Sequence, residues 1–558
     1  MKKSLLYYFV ALFIFPIAVY AQDAPALLDK LQANTQSVKG KKVEYSQEFI
    51  KSKEQPFLIT INITESSKGE VSSYSLNTRD LNAALINFET KGEFVLVNTQ
   101  VKGGKKLVKV VENGEQKNYD SKVVFYATDI EQARVLTDAL KSLVELAEKQ
   151  GEDIGVEAKA KSDISAFIAS SVTDVVINSN TYKQSLVFDA SNANILKFSI
   201  EDMSKGTTEL FSVNAADLNL HKVDFETNRN EVYVYLTTKG DAKLISYIKT
   251  GVLSNYTNQF QIKMNSVEEA RLFAHYMKQF VKISEEEETV NYGNYSYEKC
   301  VGFLTANIGE AVLNQDAYKQ TFSMDKENEL LFNLQFQDVS KGTTASYSAN
   351  AADLLKGKTS FNTKGNAVFI DLATTNNVKL IQVTEGSSTS AYTNTMTLRA
   401  KDVENARALA EVITRFKELA HEKMSKKVSF SGVTEAEKYI LSSIGEVLIG
   451  TDTYTQSIEI NKDNNCIYTF NITDVSKNTL MAFEFNFRDM DIHKIQFDTK
   501  GSQVIVSLET KGKNKLIKTY KNGEVDKYTY AMEILTKSIE EARNIVSALK
   551  SKAESCVQ

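Results

Sequence analysis

Apolar and polar residues alternate along much of this chain, and beyond residue 454 the alternation can be read strand by strand. Ile458 and Ile460 stand two apart; Tyr468, Phe470 and Ile472 follow, then Phe483, Phe485 and Phe487, then Ile495 and Phe497. Val504, Val506 and Leu508 form a fifth run, residues 516–520 a sixth and residues 528–535 a seventh. A period of two in β-branched and aromatic residues predicts strands with one buried face. On either side the period changes. Residues 434–448 place Tyr439, Ile440, Ile444 and Val447 at helical spacing, and Ala542, Ile545, Val546 and Leu549 form the buried stripe of a last helix. That helix opens on a capping box, Ser538 with Glu541, repeated as Ser266/Glu269 and varied as Asp129/Gln132 and Asp402/Asn405. The sixth and seventh runs are joined by Asn522-Gly523, as their counterparts are by Asn113-Gly114, because a tight hairpin needs positive φ at both central residues.

The same pattern is written four times. Tyr-x-Gln occurs at Tyr45/Gln47, Tyr182/Gln184, Tyr318/Gln320 and Tyr454/Gln456, at offsets of 137, 136 and 136. In the same register lie Lys68, Lys205, Lys341 and Lys477 in a Ser-Lys-(Gly/Asn) turn, and Asp80, Asp217, Asp353 and Asp489. Phe88, Phe225, Phe361 and Phe497 open Phe-x-Thr triplets; Tyr119, Tyr256, Tyr392 and Tyr528 follow, then Ala-Arg pairs ending at Arg134, Arg271, Arg407 and Arg543. Six markers in one register exclude coincidence. The period is too long for a solenoid repeat that shares its core with its neighbours, so each copy is expected to be a domain. The expected organisation is a leader over residues 1–21 and repeats over 22–150, 159–286, 295–424 and 431–558. Candidate linkers are residues 151–161, 284–294 and 425–432, which are short and polar or charged.

Seven antiparallel strands followed by one helix resemble the pleckstrin-homology-like fold, an α+β unit in which a bent, partly open barrel is plugged at one corner by its C-terminal helix. The resemblance extends once per copy over nearly all of the chain after the leader. It includes the connection after the third strand (Asp80-Leu81, Asp217-Leu218, Asp353-Leu354, Asp489-Met490) and the opening of the last helix. The leading helix is additional to the minimal fold, and is expected on the barrel or against the preceding copy.

The first residues carry Lys2 and Lys3, an apolar run over 5–19 and then Val19-Tyr20-Ala21 before Gln22, the pattern of a cleaved export signal. No cysteine stands at the cleavage point to take a lipid, and no later stretch approaches membrane-spanning length. The expected location is periplasmic or secreted. Cys300, Cys466 and Cys556 are odd in number and sit at non-equivalent positions, which excludes a disulfide scaffold and leaves room for one bridge. The sequons at Asn62, Asn255, Asn294 and Asn471 matter only in a host that glycosylates exported chains. A formal net charge of −5 over 558 residues excludes a generic polyanion binder, and no nucleic-acid partner is expected.

The resemblance to pleckstrin-homology domains implies a phosphoinositide reader, whose basic residues lie between the first two strands. Here those loops read Lys51-Ser52-Lys53, Asp189-Ala190-Ser191, Asp325-Lys326-Glu327 and Asn461-Lys462-Asp463. Only the first is basic, so a phosphate clamp is not expected. The four histidines are too few for a repeated site: His221 and His493 align, but Ala84 and Gly357 take their place elsewhere, and His275 and His421 sit on helices without a partner motif. Nucleophile-elbow, zinc-protease and nucleotide-binding motifs do not occur, so the chain is expected to be no enzyme and to carry no catalytic, cofactor or metal site. Tyr-x-Gln presents two side chains on one strand face. A packed Tyr beside a hydrogen-bonded Gln is the expected role, and a ligand contact is the alternative. Tyr119 and its equivalents are expected in the core.

The expected function is a non-enzymatic, multivalent binding or scaffolding protein of the cell envelope, with a protein or envelope polymer as partner. The alternative is a periplasmic carrier of an apolar ligand such as lipid, which needs a cavity behind aromatic residues such as Phe483, Phe485 and Phe487.

Overall fold

The computed structural model describes residues 15–53, 55–150, 160–287, 290–313, 316–385, 388–426 and 430–557. Most of the expected leader and residues 151–159 of the first expected linker lie outside these. The helix Phe15–Asn34 runs through the expected cleavage point after Ala21. The chain divides into two compact units, Met1–Glu288 and Thr289–Gln558, each holding two copies of one α+β repeat.

Every repeat has a six-stranded and a three-stranded antiparallel sheet, one leading helix and one closing helix. In the fourth repeat the six-stranded sheet runs Val447–Ile449, Asp452–Ile460, Ile467–Asp474, Thr479–Asn486, Ile517–Lys521, Glu524–Thr529, and the smaller sheet runs Gln496–Lys500, Gln503–Glu509, Ala531–Thr536. The register brings inward-facing residues together, with Phe470 opposite Phe483 and Val506 between Phe497 and Ile534.

Nine strands thus replace the seven read from sequence. The three-residue strand Val447–Ile449 is too short to show a period, and it ends the leading helix early: the helix is Val433–Ser443, and Val447 belongs to the sheet. The seventh run is two strands. It breaks at Tyr530, where the chain leaves the edge of the larger sheet and joins the smaller one. Asn522 and Gly523 have φ of 49° and 90°, as the hairpin chemistry requires, and Asn113 and Gly114 have 50° and 85°.

The closing helices Ile130–Lys149, Val267–Glu286, Val403–Lys426 and Ile539–Val557 bury one apolar stripe, in the last case Ala542, Ile545, Ala548, Leu549 and Ala553. At their starts Asp129, Ser266, Asp402 and Ser538 each accept a bond from the backbone N–H three residues on. Each leading helix lies on the closing helix and first long strand of its own repeat. Phe485 and Phe487 are fully packed, their rings 5.2 Å apart, and Tyr468 lies 4.9 Å from Phe487. In the third repeat the apolar cavity among Phe322, Phe332, Leu398 and Phe416 measures about 20 Å³, the space of one small molecule of solvent.

Cys466 and Cys556 are bridged, and Cys300 is free and buried. The bridge pins the start of the strand Ile467–Asp474 to the end of the closing helix in the fourth repeat.

Candidate functional site

The four Tyr-x-Gln pairs hold the two sheets of each repeat together. Gln456 Nε2 donates to the carbonyls of Gly445 (3.1 Å) and Leu535 (2.9 Å), and its Oε1 accepts from the Leu535 N–H (2.9 Å). Gln47 does the same with Gln36 and Tyr126, Gln184 with Thr173 and Lys263, and Gln320 with Gly309 and Arg399. A buried amide standing in for backbone bonds both a strand of the smaller sheet and the end of the leading segment. The preceding Tyr covers the same spot: Tyr45 stacks on Tyr126 at 3.9 Å, and Tyr182 and Tyr318 lie under Lys263 and Arg399 at 4.4 and 3.6 Å. Both amide hydrogens and one of the two oxygen lone pairs are spent on backbone groups of the repeat itself, which fits the expected structural role.

The Ser-Lys-(Gly/Asn) sites are turns. Asp474 accepts from Ser476 Oγ and the Lys477 N–H, and pairs with Lys477 Nζ at 2.8 Å, which draws its carboxyl down to about 2. Asp202 and Asp338 are likewise lowered, by hydrogen bonds within the turn that outweigh desolvation. The loops after the first long strand are also spent internally: Asp189, Asp325 and Asn461 accept backbone N–H groups two and three residues on, and Lys51 is bonded to Asp29. His221 and His493 are exposed on short turns, His421 meets the Leu354 carbonyl at 2.9 Å, and His275 meets Gln279 at 2.8 Å. Among the described residues no group of three His, Cys, Asp or Glu is placed to hold a metal, and no helix is long and apolar enough to cross a membrane.

The markers that come together across distance are the Asp after the third long strand and the Arg of the closing helix. In the first unit Arg271 reaches from the second repeat to Asp80 of the first at 2.6 Å, and Asn77 donates to Glu268 at 3.1 Å. In the second unit Arg543 grips both oxygens of Asp353 at 2.8 and 2.7 Å, and Asn350 donates to Glu540 at 2.9 Å. Two carboxylates share one guanidinium at each junction. Burial raises Asp80, Glu268 and Asp353 above their ordinary values, outweighing the attraction of Arg271 and Arg543.

The rest of each junction is backbone and rings. The Tyr119 N–H donates to the Arg229 carbonyl at 2.8 Å, and the Tyr392 N–H to the Gly501 carbonyl at 3.2 Å. Thr499 Oγ1 donates to the Lys379 carbonyl at 2.9 Å, and Thr227 to that of Lys106. Tyr119 and Tyr392 are buried, and burial lifts both phenols to about 12. Tyr392 and Leu380 belong to the apolar cluster of the following repeat. The expectation that these tyrosines are core holds for Tyr119, Tyr256 and Tyr392, which are 3 %, 4 % and 6 % exposed, and is corrected for Tyr528 of the fourth repeat, which is 52 % exposed.

The described surface carries openings at two places that bear on a function. One of about 330 Å³ lies in the first junction, lined by Arg79, Lys102, Glu148, Asp224, Arg271 and Lys278, with Lys102 paired to Glu148 at 2.8 Å. The other, about 470 Å³, lies on the outer face of the third repeat's larger sheet, where Lys319, Thr321, Gln335, Gln337, Thr344 and Ser346 point outward. Comparison of the chain with protein families, curated proteins and solved structures returns no match.

Proposed function

We propose that this chain is an exported, non-enzymatic scaffold of the cell envelope, built from four pleckstrin-homology-like repeats and engaging a protein or envelope polymer at several points at once. The observation that carries this reading is the recurrence of one junction in both units. Asp80–Arg271 and Asp353–Arg543 set one repeat against the next in the same way, so outward sheet faces and loops are presented at a fixed spacing within each unit. Linked sites at a fixed spacing gain effective concentration toward an extended partner.

The outer face of the third repeat supplies the matching chemistry. Its uncharged Thr, Ser and Gln side chains offer donors and acceptors suited to a hydroxyl- or amide-bearing polymer. The bridged Cys466 and Cys556 accord with an oxidising compartment. The small void within the third repeat gives a lipid-carrier role no support.

The test is cross-linking in intact cells of the source followed by mass spectrometry of what is captured. Recovery of one protein or envelope polymer, reduced by Thr321→Arg with Gln335→Arg on the outer face, supports the reading. A co-purifying lipid, or turnover of an envelope component by the purified chain, would replace it.

A further inference from the structure

The junction inside each unit is heterologous: an Asp face on the earlier repeat meets an Arg face on the later one. Along the chain such an interface leaves the Arg face of the first repeat and the Asp face of the fourth without a complement. In the third repeat the Asp face consists of Asn350, Asp353, Lys379, Leu380 and Tyr392. The fourth repeat carries the same residue types at the equivalent places, Asn486, Asp489, Lys515, Leu516 and Tyr528. Here Lys515, Leu516 and Tyr528 are exposed, and Asn486 and Asp489 are half-buried where Asn350 and Asp353 are buried. Tyr392 is 6 % exposed and Tyr528 52 %, and Leu516 is 48 % exposed.

The first repeat carries the other half. Glu131 and Arg134 stand where Glu540 and Arg543 stand in the fourth, held as the same within-helix pair at 3.6 against 3.7 Å. Their side chains are 83 % and 60 % exposed, against 21 % and 28 % at the occupied junction. Phe88, Thr90 and Gly92 match Phe497, Thr499 and Gly501, so the hydroxyl that reaches a Lys carbonyl and the carbonyl that takes the Tyr N–H are both retained.

We infer that the fourth repeat of one molecule docks onto the first repeat of a second copy through this junction, so that the chain assembles head to tail. Arg134 of the incoming copy takes Asp489, Asn486 donates to Glu131, and Tyr528 and Leu516 are covered by the hairpin that turns at Gly92. Exposed aromatic and aliphatic residues beside a charge of known complement fit this occupant better than an unrelated partner, because the chain already uses the matching surface within both units. The inference goes beyond the scaffold reading and does not depend on it.

Sedimentation velocity of the chain from Gln22 onward, across a hundredfold range of concentration, tests it. The weight-average mass is expected to rise by about twofold or more, as a heterologous contact forms longer chains or rings. Arg134→Glu and Asp489→Arg should each abolish the rise while leaving the melting temperature unchanged, and an equimolar mixture of the two variants should restore association by pairing each intact face with its complement. A mass independent of concentration would overturn the inference, as would association that survives both reversals or a mixture that stays monomeric.

Discussion

Asp353 and Arg543 lie 190 positions apart and meet in an ion pair in which one guanidinium nitrogen reaches both carboxylate oxygens; the acid is nearly buried and the base keeps about a quarter of its side chain in solvent. Asp80 and Arg271, 191 apart, make the equivalent pair through one carboxylate oxygen at 2.6 Å. Removing one partner strands the other. For a pair this far from solvent on one side only, Asp353→Ala or Arg543→Ala is expected to cost about 2–3 kcal/mol, at the lower edge of buried pairs. The double variant should cost less than the sum of the two. Hydrogen exchange should quicken at the Tyr392 amide, whose N–H donates across the junction, while Gln503–Glu509 stays protected; unchanged exchange at Tyr392 would show that the pair does not hold the junction.

The acids at the junctions give the pH response an unusual sign. Asp80, Asp353 and Glu268 are raised by burial, so the folded chain holds protons at pH values where the unfolded chain has released them. Their contribution therefore grows as pH falls from neutrality toward the ordinary carboxylate values of 3.8 and 4.5. The turn acids act the other way. Asp474, near 2, and the lowered Asp202 and Asp338 contribute above the ordinary value, and that contribution is lost as pH falls through the lowered ones. The melting temperature should hold or rise on mild acidification and drop only below about pH 4. Asp80→Asn with Asp353→Asn should flatten the upper part of the profile. A steady fall from pH 7 would contradict the sign.

What could be read in advance followed the periodicity. Strands with three or more alternating apolar residues were legible, and so were the capping boxes and the Asn-Gly turns. Val447–Ile449 was not, because three residues cannot display a period. The break at Tyr530 was hidden because apolar alternation continues through it while the chain changes sheets. The junction was harder. Tyr119, Tyr392 and Tyr528 are the same residue in the same local pattern, and only the neighbouring repeat decides which is covered. The signal was present in the shared register of the Asp and Arg markers, but long-range pairing leaves no mark in local spacing. The bridge between Cys466 and Cys556 was similarly open, since three cysteines allow three pairings.

Gln456 should be sensitive to chemistry more than to size. Gln456→Ala leaves the Gly445 and Leu535 carbonyls and the Leu535 N–H unpaired, at a cost of about 2–4 kcal/mol. Gln456→Glu preserves the shape but faces two carbonyls with a carboxylate that cannot donate, and should be worse near neutral pH and partly recover in acid. Urea unfolding at pH 5 and pH 8 separates the two. Equal stability of wild type and Gln456→Glu at pH 8 would show that the amide does not clasp the sheets.

The bridge closes a loop between positions 90 apart within the fourth repeat, and a loop of that length is worth about 4–5 kcal/mol in the chain-entropy account. Cys466→Ser with Cys556→Ser should lower the stability of that repeat and leave the unit Met1–Glu288 unchanged, since the bridge joins no residue there. Thiol counting gives a separate reading of the compartment. Burial lifts the Cys300 thiol to about 11, so the native protein should react with no more than traces of alkylating reagent. Denatured without reductant, protein taken from its own source should expose one reactive thiol, and after reduction three. Three thiols before reduction would mean that the bridge does not form where the protein resides, and would count against export to an oxidising compartment.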